Sequence, residues 1–232
     1  GIHKIINAVK AYDCPLVIVV SAFYGVTDQL IDAIHLAVKG KLKINSFINS
    51  LLNQKVDLIE KNLDNSLLTQ DFKIELEARI NKLRTYFLGI NYINDVPDFI
   101  YDEILSYGER LSSLVLYYIL KAEKISCSEV LPENIGLITD GEFKNASIDF
   151  EISSEYLKES LSKDQTYVIP GFYGVSYEGK TTLLGRGGSD YSAAAIASCL
   201  NAEFLDLWKD VEGFLSADPK IVGDSVNVQS LT

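Results

Sequence analysis

The sequence predicts an α/β protein, a three-layer sandwich around a mostly parallel sheet with a helical insertion. Three observations predict it. The first is the apolar run Leu16-Val17-Ile18-Val19-Val20, short and β-branched, as strands buried in parallel sheets are. The second is a strand at Thr181–Leu184 that enters a glycine loop and then the alanine-rich stretch Ala193-Ala194-Ala195. The third is the alternation of strand-like and helical patterns along most of the chain. A purely helical periodicity interrupts that alternation between about 42 and 120.

Taken in order, Ile2, Ile5, Ile6 and Val9 have helical spacing, so residues 2–11 are expected to form an amphipathic helix. The strand at 15–20 follows, ending in Ser21-Ala22-Phe23-Tyr24-Gly25-Val26-Thr27-Asp28, and a helix is expected from Gln29 to about Val38. Ser21 and Thr27 thus stand at the C-terminal end of a strand, where ligands of open α/β sheets bind. They could equally be helix caps. Leu42, Ile44, Phe47, Ile48, Leu51, Leu52, Val56, Ile59 and Leu63 follow a 3.6-residue period, which resumes at Phe72, Leu76, Ile80, Leu83 and Phe87. The polar break Leu63-Asp64-Asn65-Ser66 separates the two helices. Pro97 to Lys121 reads as a third long helix, with a joint expected near Tyr107-Gly108. Glu109 and Arg110 beside that glycine are either a surface pair or part of a site. Strand-like runs at Ile125–Leu131 and Ile135–Asp140, a helix over 151–163 and a strand at Tyr167–Pro170 lead back to the glycine loop. Beyond the alanine-rich helix, a short strand is expected at Ala202–Trp208, then a turn-rich loop from Lys209 to Lys220.

Composition narrows the function. The chain has 232 residues, 47% of them hydrophobic, enough for a sizeable core. A net charge of −11 argues against nucleic acid or an anionic membrane as partner. Cys14, Cys127 and Cys199 are widely spaced and the chain has only 2 histidines, so neither a zinc site nor a disulfide framework is expected, and a cytoplasmic location fits. No apolar run is long enough to cross a membrane, and the start carries no signal-peptide pattern. The chain has no methionine and opens at Gly1 directly into a helical pattern, so a fragment of a longer protein is expected.

The stretch Gly185-Arg186-Gly187-Gly188-Ser189-Asp190 carries the chemistry. Glycines let the backbone approach a ligand closely, and a helix N-terminus behind them offers free N–H groups to an anion. Ser189 is the expected N-cap, and Asp190 suits the first turn. The planar fork of Arg186 matches a carboxylate or phosphate. A rival motif lies just upstream: Gly174-Val175-Ser176-Tyr177-Glu178-Gly179-Lys180-Thr181 fits the P-loop pattern letter by letter. A P-loop needs a helix starting at its lysine, whereas Lys180 leads into a strand. Glu178-Gly179 reads instead as a hairpin turn. The dinucleotide pattern fails as well, because Asp190 stands where its third glycine belongs.

Four blocks in this order resemble the amino-acid kinase superfamily, and within it the aspartate kinases. They are Val20 to Thr27, Gly108-Glu109-Arg110-Leu111-Ser112, Gly171-Phe172-Tyr173-Gly174 through Tyr191, and Trp208-Lys209-Asp210-Val211-Glu212-Gly213 through Asp218-Pro219. The resemblance implies ATP-dependent phosphorylation of the β-carboxylate of L-aspartate, with Mg²⁺ as the metal and a homo-oligomer in the full-length protein. It implies an aspartate pocket of Ser21, Thr27, Glu109, Phe172, Arg186 and Ser189. Arg186 would grip the α-carboxylate, Glu109 would receive the ammonium and Asp190 would organise catalytic lysines. It also implies nucleotide contacts at Gly187, Gly188, Lys209, Asp210, Leu215 and Lys220. Position 209 is Lys where many relatives have Thr, and 215 is Leu where an aromatic is frequent. The family's opening Lys-Phe-Gly-Gly-Thr-Ser block and its later Phe-Gly-Ala-Lys block do not occur here, nor do its regulatory domains, so this segment alone is expected to be inactive. Another amino-acid kinase, acting on glutamate, and a non-catalytic amino-acid-binding regulator are the alternatives.

Overall fold

The computed structural model describes residues 2–63 and 65–208, together with the backbone of 214–215 and 227–228. Residues 1–202 form one compact unit and 203–232 a second. In the first unit α1 (Ile2–Lys10) precedes β1 (Val17–Val20), and α2 (Val26–Val38) follows. Next come α3 (Ile44–Glu60), α4 (Ser66–Ile93) and α5 (Asp98–Ala122). Then follow β2 (Cys127–Glu129), α6 (Pro132–Ile135), β3 (Ile138–Thr139), α7 (Phe150–Ser160), β4 (Thr166–Pro170), β5 (Tyr173–Ser176), β6 (Thr181–Leu183) and α8 (Gly188–Leu200). In the second unit a short antiparallel pair joins β7 (Phe214–Leu215) to β8 (Asn227–Val228).

The sheet is mostly parallel, as expected, but it divides. One sheet has the order β1-β4-β2 with both pairings parallel; the other has the order β3-β5-β6, with β3 parallel and β6 antiparallel to β5. The division falls where Pro170, which has no N–H to give a ladder, ends β4. Phe172 then takes a left-handed φ of 73° and turns the chain into β5. The β5–β6 connection is the hairpin read from Glu178-Gly179, with Tyr173 opposite Leu183 and Gly174 opposite Thr182.

The helices obey their periodicity. In α4 the residues Phe72, Leu76, Ile80, Leu83, Phe87 and Ile90 all face inward. Asn65 caps this helix by accepting the Leu67 and Leu68 amides, which is why the polar break stands there. The apolar stripes of α2, α3, α4 and α5 close on one core that also takes in Tyr173 and Leu183. A second core lies under α7 and α8, around Leu137, Leu157, Ile169, Ala195 and Ile196.

Four local expectations need correction. Helix α5 runs unbroken through Gly108, with no joint; a glycine costs a helix about 1 kcal/mol, and here it gives close approach instead. Ser189 is not the N-cap of α8: Gly187 caps it in a left-handed conformation at φ 74°, and Ser189 sits in the first turn. Ile135 ends the short helix α6 rather than opening a strand. Ala202–Trp208 is irregular, with Phe204, Leu205 and Trp208 exposed; a strand exists only where a neighbour supplies a ladder. In addition, β1 is half-buried rather than buried, with Val17 at 36% exposure, because it stands at an edge of its three-stranded sheet. The three cysteines are free thiols.

Candidate functional site

The site is built around the middle of α5. Gly108 has no side chain, and a Cβ there would lie 2.9 Å from the Ala22 Cβ and 3.5 Å from the Thr27 Oγ1. The helix can therefore lie directly against the loop after β1 and the first turn of α2. Two bonds lock that contact. The Ala22 amide donates to Glu109 Oε1 at 3.0 Å, and the Phe23 amide donates to Ser112 Oγ at 3.0 Å.

Helix α8 closes the other side. Gly171 follows β4, and a Cβ on it would come within 2.9 Å of Val19 and 3.0 Å of the Ser189 backbone. Its absence lets the first turn of α8 drop beside β1. Phe172 is held in its strained left-handed conformation from both ends. Its amide donates to Ser192 Oγ at 2.9 Å, and its carbonyl accepts the Leu184 amide at 2.8 Å. A non-glycine residue held at positive φ costs energy that the surrounding structure must supply, and such residues cluster at sites. The Phe172 ring lies against Gly188. The loop after β1 and the helix N-termini of α2 and α8 thus meet at Glu109.

Glu109 is only 4% exposed. Burial pushes its carboxyl up to about 8, against the pull of the Ala22 amide and of the Ser189 side chain, which faces the same carboxyl. Its Oε2 is sealed from solvent and completes no hydrogen bond. A buried carboxyl with one oxygen lacking a hydrogen-bond partner has the capacity to accept a further donor.

Of the two readings of Glu109 and Arg110, the surface pair is wrong. Both are buried and they turn away from each other. Arg110 bonds Glu133 at 2.6 Å and Ser106 Oγ at 2.8 Å, and stacks 4.4 Å from the centre of the Tyr173 ring. A second, half-buried pair holds the layers beside it: Arg79 of α4 grips Glu129 of β2 bidentately, at 2.8 and 2.6 Å. Arg110 stands in a motif block but its partner Glu133 does not, and Arg79 carries no motif, so sequence reasoning missed both pairings.

The structure brings Thr27, Glu109, Phe172, Gly188 and Ser189 into one region. Ser21 is exposed, one residue from the Ala22 amide that bonds Glu109. Arg186 is exposed on the loop two residues before Gly188, and Gly187 beside it is exposed as well. Asp190 is half-buried in the first turn of α8. Lys209, Asp210 and Lys220 lie outside the described residues, as does the side chain of Leu215. Among the described residues no cluster of three or more acidic, histidine or cysteine side chains could hold a metal. No helix among them is long and apolar enough to cross a membrane.

Parallel strands flanked by helices, with two loop-to-helix turns around a buried carboxyl, define the class. The description "Amino acid kinase family" matches residues 1–232, and the chain belongs to that family. Within it the resemblances are to aspartokinases. The aspartokinase of Chlamydia trachomatis is 32% identical over 227 residues, covering 94% of this chain and 47% of that protein. Aspartokinase 1 of Bacillus subtilis is 38% identical over 121 residues, 52% of this chain and 30% of that protein. The fold matches that of E. coli aspartokinase III crystallised with aspartate and ADP, with a TM-score of 0.86, 24% identity and coverage of 98% of this chain and 49% of that one. The chain thus spans about half or less of the length of these relatives.

Proposed function

We propose that the protein containing this chain transfers the γ-phosphoryl group of ATP to the β-carboxylate of L-aspartate. One observation carries the reading: Glu109 is a buried carboxyl with an unused oxygen, set among Thr27, Phe172 and Ser189. The names of the relatives, all aspartokinases, and the aspartate and ADP bound to aspartokinase III support the same substrate pair.

In this reading the substrate ammonium meets Glu109, and the Arg186 fork holds the α-carboxylate bidentately. Ser21, Thr27 and Ser189 donate to the carboxylates, and Phe172 closes one wall. A β-carboxylate oxygen then attacks the γ-phosphorus: that O–P bond forms, the bond to the β,γ-bridging oxygen breaks, and ADP leaves. The nucleophile is already ionised, so no general base is needed. The enzyme's work is in-line positioning and neutralisation of charge. Gly187 and Gly188 would let a phosphate approach the first turn of α8 closely, and by the family resemblance Lys209, Asp210, Leu215 and Lys220 would contact the nucleotide and Asp190 would orient lysines of the site. Mg²⁺ would neutralise charge on the phosphates when it is bound with ATP. A cytoplasmic homo-oligomer is the working state.

The test is ADP release and hydroxamate formation by the full-length protein with aspartate and with glutamate. Activity on aspartate supports the reading. Preference for glutamate, or aspartate binding without ADP release, replaces it.

A further inference from the structure

Asp102 lies on α5 seven residues before Glu109, about 10 Å along the axis at the helical rise. It is fully buried, and one of its oxygens does two jobs: Oδ2 accepts the Leu183 amide at 2.9 Å and the Lys144 amide at 2.8 Å. Its Oδ1 is buried with no hydrogen-bond partner. Leu183 is the last residue of β6, and the glycine loop with Arg186 begins two residues later. The two segments that Asp102 holds are also joined to each other. The Ala146 amide donates to the Leu183 carbonyl at 2.8 Å, and Gly185, left-handed at φ 72°, packs on the Asn145 side chain. The root of the Arg186 loop is therefore pinned to the helix that carries Glu109.

We infer that Asp102 is a positioning residue: by tying the end of β6 to α5 it fixes the distance between the Arg186 loop and Glu109, and so sets the length of amino-acid substrate that the site accepts. This rests on the aspartate kinase reading above. An acidic amino acid one methylene longer needs the same two anchors and room for its reacting carboxylate. A loosened loop root gives that room and loses the grip on the shorter substrate.

The experiment measures kcat and KM for aspartate, glutamate and ATP in the full-length enzyme and its Asp102→Ala and Asp102→Asn variants. Asp102→Ala leaves two amides without their acceptor. It is expected to raise the aspartate KM at least tenfold, keep the ATP KM within twofold, and narrow the preference for aspartate over glutamate at least fivefold. Asp102→Asn keeps an oxygen for both amides but loses the charge that holds them, so it is expected to show faster hydrogen exchange at the Leu183 and Lys144 amides and a shift of the substrate ratio toward glutamate that is smaller than in Asp102→Ala. Equal rises in all three KM values, or an unchanged aspartate-to-glutamate ratio in Asp102→Ala, overturn the inference and leave the function standing. If Asp102→Ala does not fold, Asp102→Asn decides: exchange faster at Leu183 with the substrate ratio unmoved overturns the inference, and a ratio that shifts toward glutamate supports it. An unsubstituted enzyme that phosphorylates neither amino acid removes both readings.

Discussion

Helices α4 and α5 are close in length, 28 and 25 residues, and pack in the same core, yet they are built on opposite plans. Helix α4 buries one apolar stripe and gives water the rest, with Leu67, Ile74, Leu88 and Tyr92 exposed on its outer side. Helix α5 is covered almost all round, and its buried residues include Asp102, Ser106, Glu109, Arg110, Ser112 and Ser113. The first helix buries an apolar stripe and keeps its polar contacts, such as Arg79 with Glu129 and Lys82 with Glu103, toward its flanks, so its core can be read from spacing. The second places polar groups where each must find a partner or wait for a ligand. Stability and chemistry are thus assigned to adjacent helices.

The largest test of that division is Phe87→Ala on α4. It removes a fully buried ring that meets Phe47 edge-on at 5.4 Å, and should cost about 3–5 kcal/mol of folding stability. Denaturant unfolding gives the loss; the aspartate KM of the remaining folded enzyme should be unchanged. A raised KM would mean that α4 also tunes the site.

Next comes Glu109→Gln on α5. Losing a buried charge that meets the substrate ammonium should weaken aspartate binding by about 2–3 kcal/mol, or roughly 30- to 150-fold. The carboxyl also leaves a signature in pH. With its value raised to about 8 it is protonated at neutral pH, so binding an ammonium must expel a proton. Aspartate affinity should therefore rise with pH up to about 8 and level off, and calorimetry in buffers of different ionisation enthalpy should count the proton released. The ligand-free protein has the opposite trend. A group raised on folding stabilises below its unfolded value and loses that contribution as pH climbs through about 8, so stability should decline from about pH 4.5 to 8. Glu109→Gln should flatten both profiles.

A smaller effect sits on α3, at the boundary of the two plans. Lys55 is 4% exposed, and its ammonium lies 4.4 Å from the centre of the Phe23 ring, on the loop whose amides bond Glu109 and Ser112. Burial lowers it to about 8. Its charged form is penalised in the folded state, so stability should rise between about pH 8 and 10.5. Lys55→Met should add about 1–2 kcal/mol at pH 7 and remove that rise in thermal melts. A destabilised variant would show that the cation–π contact outweighs burial. The smallest effect is expected at Lys73, whose pair with Glu60 is exposed on both sides; Lys73→Ala should change stability by less than about 0.5 kcal/mol.

The same contrast explains what the sequence could tell. The core of α4 was legible because its apolar residues repeat every 3.6 positions, and the hairpin at Glu178-Gly179 because a P-loop helix could not follow Lys180. The resemblance of the motif blocks pointed to Thr27, Glu109, Phe172 and Ser189, which meet in space. The left-handed turn at Phe172 was invisible, since a non-glycine gives no local sign of positive φ. The burial of Arg110 and the pairing of Arg79 were equally invisible, because their partners Glu133 and Glu129 stand far along the chain on other elements. The cap of α8 was misplaced by two residues because a serine beside two glycines satisfies the capping rule on composition, while the backbone turn chose Gly187. Lys209, Asp210 and Lys220 fall outside the described residues.

The unbroken passage of α5 through Gly108 has an evolutionary consequence. Two side chains on one rigid helix can be separated only by whole steps of the helix, and inserting one residue between them swings one by about 100° relative to the other. The interval from Asp102 to Glu109 therefore cannot drift gradually under selection. Lineages that retune such a site must do so in the segments that meet the helix, by lengthening or repacking the connections at 140–146 and 184–188, while the stretch 102–109 keeps its residue count.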